Sequence, residues 1–517
     1  MPRLSGGEAL VRSLAEHDVE VVFGIPGTHN LGIYAHLGIQ HVSPRHEQGA
    51  GFAADGYARA TGKPGVCITT SGPGILNAAT AAAQAYSDSV PMLLISPGPP
   101  VDHPGRWVGM LHEVRDQSGA MEAVTAGSHR VHSVEEISLA VAQAFAEMSS
   151  GRPRPRHLEI PYDLLDAIAD TQIVAPIAVS PPVADPTAAA TVLRGAQRPG
   201  IIVGGGARGA ATELMALATR LAAPVLSTAN GKGILPEDHE YALGAGLHHP
   251  AAAEFVAECD VVLAVGTELA PADLWNGPFT FTGKLIRIDI DPAQVVTNAQ
   301  PDIPLVGDAA RTLAAITAMV APRADLERAA KWRARIATEA AAEGAAWSPL
   351  VDALSETLGR DGILAGDSAT ACYYGAYSNL PRYVPGSFLY PTGLGTLGYG
   401  LPAAIGAKLG RKTARVAALH GDGGFMFTAP ELAAAAALGL PIAVIVVDNG
   451  GYGEIRREMV ARGDNPVAVD LPSPDFAALA RSLGCHGITQ PDDLPGALRK
   501  AFDADRPTLI HLLETDA

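Results

Sequence analysis

Two short segments near the C-terminus combine residue types that can hold a charged ligand. They are Gly421-Asp422-Gly423-Gly424 and Asp448-Asn449-Gly450-Gly451, with Asp422 and Asn449 27 residues apart. That separation suits a strand end, one helix and a second strand. The carboxylate and the amide oxygen would then meet at the carboxyl edge of a parallel sheet, where α/β folds bind ligands. With a nearby backbone carbonyl they make a set of hard oxygen ligands suited to Mg²⁺ holding a diphosphate. Gly423 and Gly424 would let backbone N–H groups approach phosphate at a helix N-terminus. An isolated Gly-Asp-Gly would read as a β-turn; the second segment at this spacing favours the ligand reading.

Such ligands need a parallel sheet beneath them, and the chain alternates apolar strands with helical stretches in three blocks. The expected class is α/β, with three doubly wound parallel-sheet domains over residues 1–165, 187–320 and 347–517. Strands are expected at Val19–Phe23, Val66–Thr70 and Met92–Ser96 in the first block. The second has Gly200–Val203, Val261–Val265 and Leu285–Ile290, and the third Arg415–Leu419, Ile442–Val447 and Thr508–Leu513. The Pro-rich stretch from Pro153 to Pro186 reads as an extended linker, and Ala321–Ala346 as a surface helix joining domains. The apolar run Leu432–Val447 is split by Pro441, so it reads as a buried helix and strand and not as a membrane span.

Composition fits a large enzyme. Hydrophobic residues make up 48 % of 517, enough for full cores, and the net charge of −17 argues against nucleic acid or an anionic membrane as partner. Cys67, Cys259, Cys372 and Cys485 are scattered without a Cys-x-x-Cys pair, which makes a zinc site or disulfide framework unexpected and the cytoplasm the expected compartment. Charges at Arg3, Glu8 and Arg12 interrupt the N-terminus, so no signal peptide is expected.

The two C-terminal segments resemble the thiamin-diphosphate (ThDP) signature, which opens with Gly-Asp-Gly and closes with Asn-Asn; Asp448 departs from it at the penultimate position. The resemblance extends to Arg45-His46-Glu47-Gln48-Gly49-Ala50, Ala54-Asp55-Gly56-Tyr57-Ala58-Arg59, Ser71-Gly72-Pro73-Gly74 with Asn77, and the Gly-rich Gly393–Pro402. The order of pyrimidine, central and diphosphate domains is similar to that of acetohydroxyacid synthase, pyruvate oxidase and benzoylformate decarboxylase. In this family a glutamate, here Glu47, hydrogen-bonds the aminopyrimidine so that its imino nitrogen can take the C2 proton. Glu47 is expected to be buried, which would raise its pKa. The resemblance implies that Asp422, Asn449 and the Gly451 carbonyl bind Mg²⁺. It implies that Gly395 accepts from the cofactor's amino group and that Leu397 wedges between its rings. Pro26, Asn77, Ser368, Gly423, Gly424 and Tyr452 complete the expected cofactor contacts, with Gly366–Thr370 giving phosphate donors. It also implies at least a homodimer, with a homotetramer common, because Glu47 serves the partner subunit's diphosphate site.

Some relatives hold FAD in the central domain. Gly204, Gly206 and Gly209 follow a strand here, but Thr228-Ala229-Asn230 ends the next one with no ribose-binding acid, so an empty domain is expected. His248-His249 and Asp289/Asp291 read as loop and strand-end structure, not as metal sites. The segments Gly24–His29, Ala85–Pro91, Trp107–Glu113 and Tyr452–Ile455 resemble 5-guanidino-2-oxopentanoate (2-ketoarginine) decarboxylases. A guanidinium tail calls for a carboxylate, and Asp88, Glu113 and Glu454 are the candidates; His29 and His112 are further substrate candidates, His112 as a proton relay. The leading expectation is therefore a 2-oxo acid decarboxylase acting on 2-ketoarginine. An acetolactate-synthase-like carboligase is the alternative, and a catalytically retired ThDP-binding homologue the alternative of another class. Several relatives close the site with a further C-terminal helix; here the expectation is either a more open entrance or a lid supplied from elsewhere, such as residues 451–470.

Overall fold

A computed structural model describes residues 2–514. Three six-stranded sheets, all parallel, form the framework. Their strands are runs such as Val261–Val265 (Val-Val-Leu-Ala-Val) and Ile442–Asp448, buried along their whole length. Continuous burial is what a parallel sheet covered by helices on both faces demands. The first sheet runs in the order Gln40–Val42, Val21–Gly24, Gly65–Ile68, Met92–Gly98, Arg156–Pro161, Ser128–Arg130. The second is centred on Pro199–Val203 and Val261–Val265, and the third on Val416–Gly421 and Ile442–Asp448. Among the described residues no helix is long and apolar enough to cross a membrane.

Two expectations need correction. The Pro-rich stretch is not a linker from Pro153: Arg156–Pro161 is a strand between two others of the first sheet. His157, Leu158 and Ile160 are buried there, and the prolines fall at or outside its ends, where no ladder donor is lost. The joining helix spans Leu326–Glu343 and is no mere surface element, because Ala329, Trp332, Ile336 and Ala340 are buried along one face. Trp332 and Ile336 complete a core cluster of the middle sheet.

By internal packing the chain forms two compact units. One comprises residues 1–180, 401–412 and 428–440; the other comprises 181–400, 413–427 and 441–517. Within the first, Gly56 and Gly406 let two helices touch backbone to backbone. A Cβ on Gly56 would lie 2.1 Å from the Ala403 carbonyl oxygen, and one on Gly406 1.8 Å from that of Ala53. The first unit also carries Glu431, at the start of helix Glu431–Ala437 and 1 % exposed. Its carboxylate accepts from the backbone N–H of Arg45 (3.0 Å to each oxygen) and of His46 (3.1 Å). Burial pushes its pKa up to about 7 against the opposing pull of these N–H groups.

Candidate active site

In the second unit, strands Ile363–Gly366, Val416–Gly421 and Ile442–Asp448 lie side by side, with Gly366 opposite Leu419 and Gly421 opposite Val447. Their following residues, Ser368, Asp422 and Asn449, therefore leave the sheet at one edge. Ser368 and Asn449 line a cavity of about 650 Å³ together with Gly395, Leu397, Gly423 and Gly451. Asp422 starts the short helix Asp422–Phe425 beside it and accepts weakly from the Asn449 N–H at 3.4 Å. Burial, then the charge of Asp448, pushes the Asp422 carboxyl up to about 6.

This donor set fits a hard divalent cation. The Asn449 Oδ1 is buried and has no hydrogen-bond partner, while its Nδ2 donates to Glu514 at 2.9 Å. Gly451 has φ +134, and a Cβ there would lie 2.1 Å from the Val469 carbonyl oxygen, so only glycine turns the chain at this point. Gly423 keeps a cradle open: its Cβ would meet the Tyr452 ring at 2.9 Å and the Gly451 carbonyl oxygen at 3.2 Å. Asp448 points elsewhere, accepting from Gly450 N–H (2.9 Å), Ser473 Oγ (2.7 Å) and His511 Nε2 (3.0 Å). Its departure from the signature is thus a structural anchor.

Asp367, which the sequence suggested only as part of a phosphate-donor run, is a buried acceptor. It takes the N–H of Gly398 (2.9 Å) and of Ser368 (2.8 Å) and contacts His420 Nδ1 at 2.7 Å. It thereby fixes the loop that carries Gly395 and Leu397 at the cavity.

The first unit holds the other candidates. Glu47 is the first residue of helix Glu47–Thr61, and its Oε2 accepts from Asn77 Nδ2 at 3.0 Å. Contrary to expectation it is half-buried in the chain, because the helix start opens its carboxylate to the surface on which exposed Asn77 lies. His29 and His112 flank Ser71, whose Oγ lies 2.6 Å from His29 Nδ1 and 3.5 Å from His112 Nδ1. Burial, then the neighbouring His112, lowers the His29 pKa, favouring a neutral ring. Pro26 is exposed, two residues after strand Val21–Gly24.

All three carboxylates considered for a cationic tail are held by neighbours. Asp88 accepts from Arg59 at 2.8 Å and Gln84 at 2.6 Å. Glu113 accepts from the N–H groups of Val108 (3.0 Å) and Met110 (2.8 Å) and pairs with His103. Glu454 lines the second unit's cavity and accepts from the Tyr374 hydroxyl at 2.7 Å. Asp273, Trp275, Tyr373 and Glu458 line it as well. Sequence reasoning missed these four; only the adjacent Tyr373-Tyr374 pair, soon after Gly366-Asp367-Ser368, offered a signal.

Gly204 and Gly206 are explained by close packing, since Cβ atoms there would lie 2.4 Å and 2.8 Å from Gly266 atoms. His248 and His249 contact Glu343 and Ser378, each at 3.1 Å. Against expectation, one ligand atom each of His248, His249 and Glu343 lie within 4.8 Å of one another, a spacing that could hold a metal ion. Asp289 and Asp291 accept N–H groups two residues on. Residues 451–470 leave the cavity rim as helix Gly453–Ala461 and return through a Gly451–Asp470 bridge.

Family profiles match along the chain. The N-terminal TPP-binding domain of thiamine pyrophosphate enzymes matches residues 4–120, the central domain 187–316 and the C-terminal TPP-binding domain 369–512. The chain is 44 % identical to the probable 2-ketoarginine decarboxylase AruI of Pseudomonas aeruginosa, over 98 % of this chain and 94 % of that protein. It is 35 % identical to the acetolactate synthase isozyme 2 large subunit of Escherichia coli, over 98 % and 95 %. It is 34 % identical to a probable acetolactate synthase large subunit of Methanocaldococcus jannaschii, over 99 % and 92 %.

Proposed function

The chain belongs to the thiamin-diphosphate-dependent enzymes, and on that premise we propose that it decarboxylates a 2-oxo acid with a cationic tail, 2-ketoarginine being the leading substrate. The observation that carries this reading is the cavity wall. Glu454, Glu458 and Asp273 line the same cavity as the Asn449–Gly451 cradle, beside the aromatic faces of Trp275 and Tyr374. Carboxylates against aromatic faces suit a planar guanidinium, which pairs with the first and stacks on the second. The chain's own Arg457 illustrates the match: its guanidinium lies 3.2 Å from Glu454 Oε2 and 5.4 Å from the Tyr374 ring centroid. The similarity to the Pseudomonas protein supports the same substrate.

Thiamin diphosphate, when bound, supplies the carbon nucleophile for the 2-oxo group. Asp422, Asn449 Oδ1 and the Gly451 carbonyl would hold Mg²⁺ and, through it, the diphosphate. Asn77 fixes Oε2 of Glu47, and Oε1 would be the oxygen left to meet the aminopyrimidine. The Tyr374 hydroxyl, held protonated by burial and then by its bond to Glu454, orients that carboxylate for the tail. A homodimer is part of this proposal, in keeping with the family's use of Glu47 across subunits, and the mass in solution tests it.

A second reading, a carboligase making acetolactate from pyruvate, is supported by the near full-length similarity to the two acetolactate synthase subunits. The experiment is CO₂ release with ThDP and Mg²⁺ on 2-ketoarginine, pyruvate and benzoylformate, with products identified. 4-Guanidinobutanal is the expected product. Acetolactate from pyruvate without turnover of 2-ketoarginine would replace the first reading by the second.

A further inference from the structure

Asparagine can ligate a cation only through Oδ1, yet its two side-chain ends are nearly identical in shape and are told apart by their hydrogen-bond partners. Asn449 has one such partner beyond the cavity. Its Nδ2 donates to Glu514 Oε2 at 2.9 Å, and the same oxygen accepts from Thr370 Oγ1 at 3.3 Å. An ionised carboxylate accepts and does not donate, so only the Nδ2 end of the amide can face it. Glu514 is itself anchored, its N–H donating to the Asp448 carbonyl at 2.9 Å, which extends the pairing of Thr508–Leu513 with Ile442–Asp448 by one residue. Gly453 leaves the room: a Cβ there would lie 2.4 Å from Nδ2 and 3.1 Å from Oδ1. The outcome is an Oδ1 that is buried with no hydrogen-bond partner.

We propose that Glu514 is a positioning residue for the metal site: it locks the Asn449 amide so that Oδ1 faces the cation. The proposal rests on the reading of Asn449 as a metal ligand. A freely turning amide would present the Nδ2 hydrogens to a cation in part of the population, and outer partners of this kind contribute about 10–100-fold to metal affinity. Orientation, not charge, is the operative quantity, so a neutral acceptor at position 514 suffices.

The test is Mn²⁺ binding, by electron paramagnetic resonance titration of the full chain with ThDP and without substrate. E514A should weaken Mn²⁺ by about 10–100-fold, while E514Q, which keeps an acceptor oxygen, should stay within about threefold of wild type. Wild-type affinity in E514A, or an E514Q as weak as E514A, overturns the proposal. A merely structural role would lower the melting temperature of the metal-free protein and leave the affinity of the folded fraction unchanged, which also overturns it. N449A separates this from failure of the ligand reading: if it binds Mn²⁺ like wild type, Asn449 is not a ligand. Should E514A fail to fold, N449D and N449D/E514Q decide the matter. The single variant sets two carboxylates face to face, and the double variant reverses the direction of the bond. The double variant should regain at least about tenfold over N449D; no recovery overturns the proposal.

Discussion

Glu431 offers the sharpest quantitative test of the first unit. It is a buried carboxylate without a side-chain cation at hydrogen-bond distance among the described residues, held by the backbone N–H groups of Arg45 and His46 immediately before Glu47. Its pKa rises from 4.5 to about 7, burial outweighing those N–H groups, which corresponds to about 3 kcal/mol between the protonated and ionised forms. A raised carboxyl favours the protonated folded state. Its contribution to stability is therefore full below pH 4.5 and lost as pH rises through about 7. About 2 kcal/mol of that loss falls between pH 5.5 and 8. E431Q has no such titration and keeps a carbonyl acceptor and a donor, so the two proteins should melt close together only near pH 4; at pH 5.5 the variant already leads by about 1.4 kcal/mol. Between pH 5.5 and pH 8 the variant should gain a further increment of about 4–8 °C over wild type for a unit of this size. Paired thermal melts across that range are the assay, since their difference cancels the other titrating groups. Parallel curves would refute the reasoning. A variant that falls behind as pH rises would mean that the two N–H groups stabilise the ionised form more than burial penalises it.

Other expectations follow from the same geometry. E47Q should reduce turnover by at least about 10²-fold, the usual contribution of a positioned acid–base group, with ThDP binding retained; unchanged turnover would remove Glu47 from the chemistry. The Asp422 carboxyl, raised to about 6, must ionise to ligate a cation, so Mn²⁺ affinity should fall by up to about tenfold per pH unit below 6, seen by titration at several pH values. E454Q should raise KM for 2-ketoarginine by about 10–100-fold, as loss of a charged hydrogen bond predicts, while sparing turnover of pyruvate or another uncharged 2-oxo acid. Burial pushes the thiols of Cys67 and Cys485 up to about 12 and that of Cys259 to about 11. A thiol-exchange reagent at pH 8 should therefore leave these cysteines unmodified until the chain is unfolded.

What could be read from sequence was what is local. Asp422 and Asn449 were legible because a fixed β–α–β spacing delivers both to one sheet edge, and the apolar runs of the central strands mark that sheet. Residues that hold those two side chains in place were not legible. Asp367 reaches Gly398, Glu431 reaches Arg45 and Glu514 reaches Asn449 across 31, 386 and 65 residues, and no local pattern encodes such pairings. Arg156–Pro161 was hidden by prolines that lie at or beyond its ends, since composition cannot distinguish a proline that flanks a strand from one that interrupts it. The glycines at 204 and 206 carried the form of a nucleotide fingerprint while meeting a packing need against Gly266. Burial of Glu47 was inferred from its chemistry, which does not dictate how much of its surface one chain covers.

The glycine-mediated helix contact in the first unit has a consequence for how such a chain can change over time. Gly56 and Gly406 press on the backbones of Ala403 and Ala53, and the members of each pair are separated by 347 and 353 positions of the chain. A genetic exchange that inherited the early segment from one ancestor and the late segment from another would join helices never selected to fit. Lineages should therefore vary at positions 53, 56, 403 and 406 together or not at all, and viable chimaeras should retain all four from a single parent.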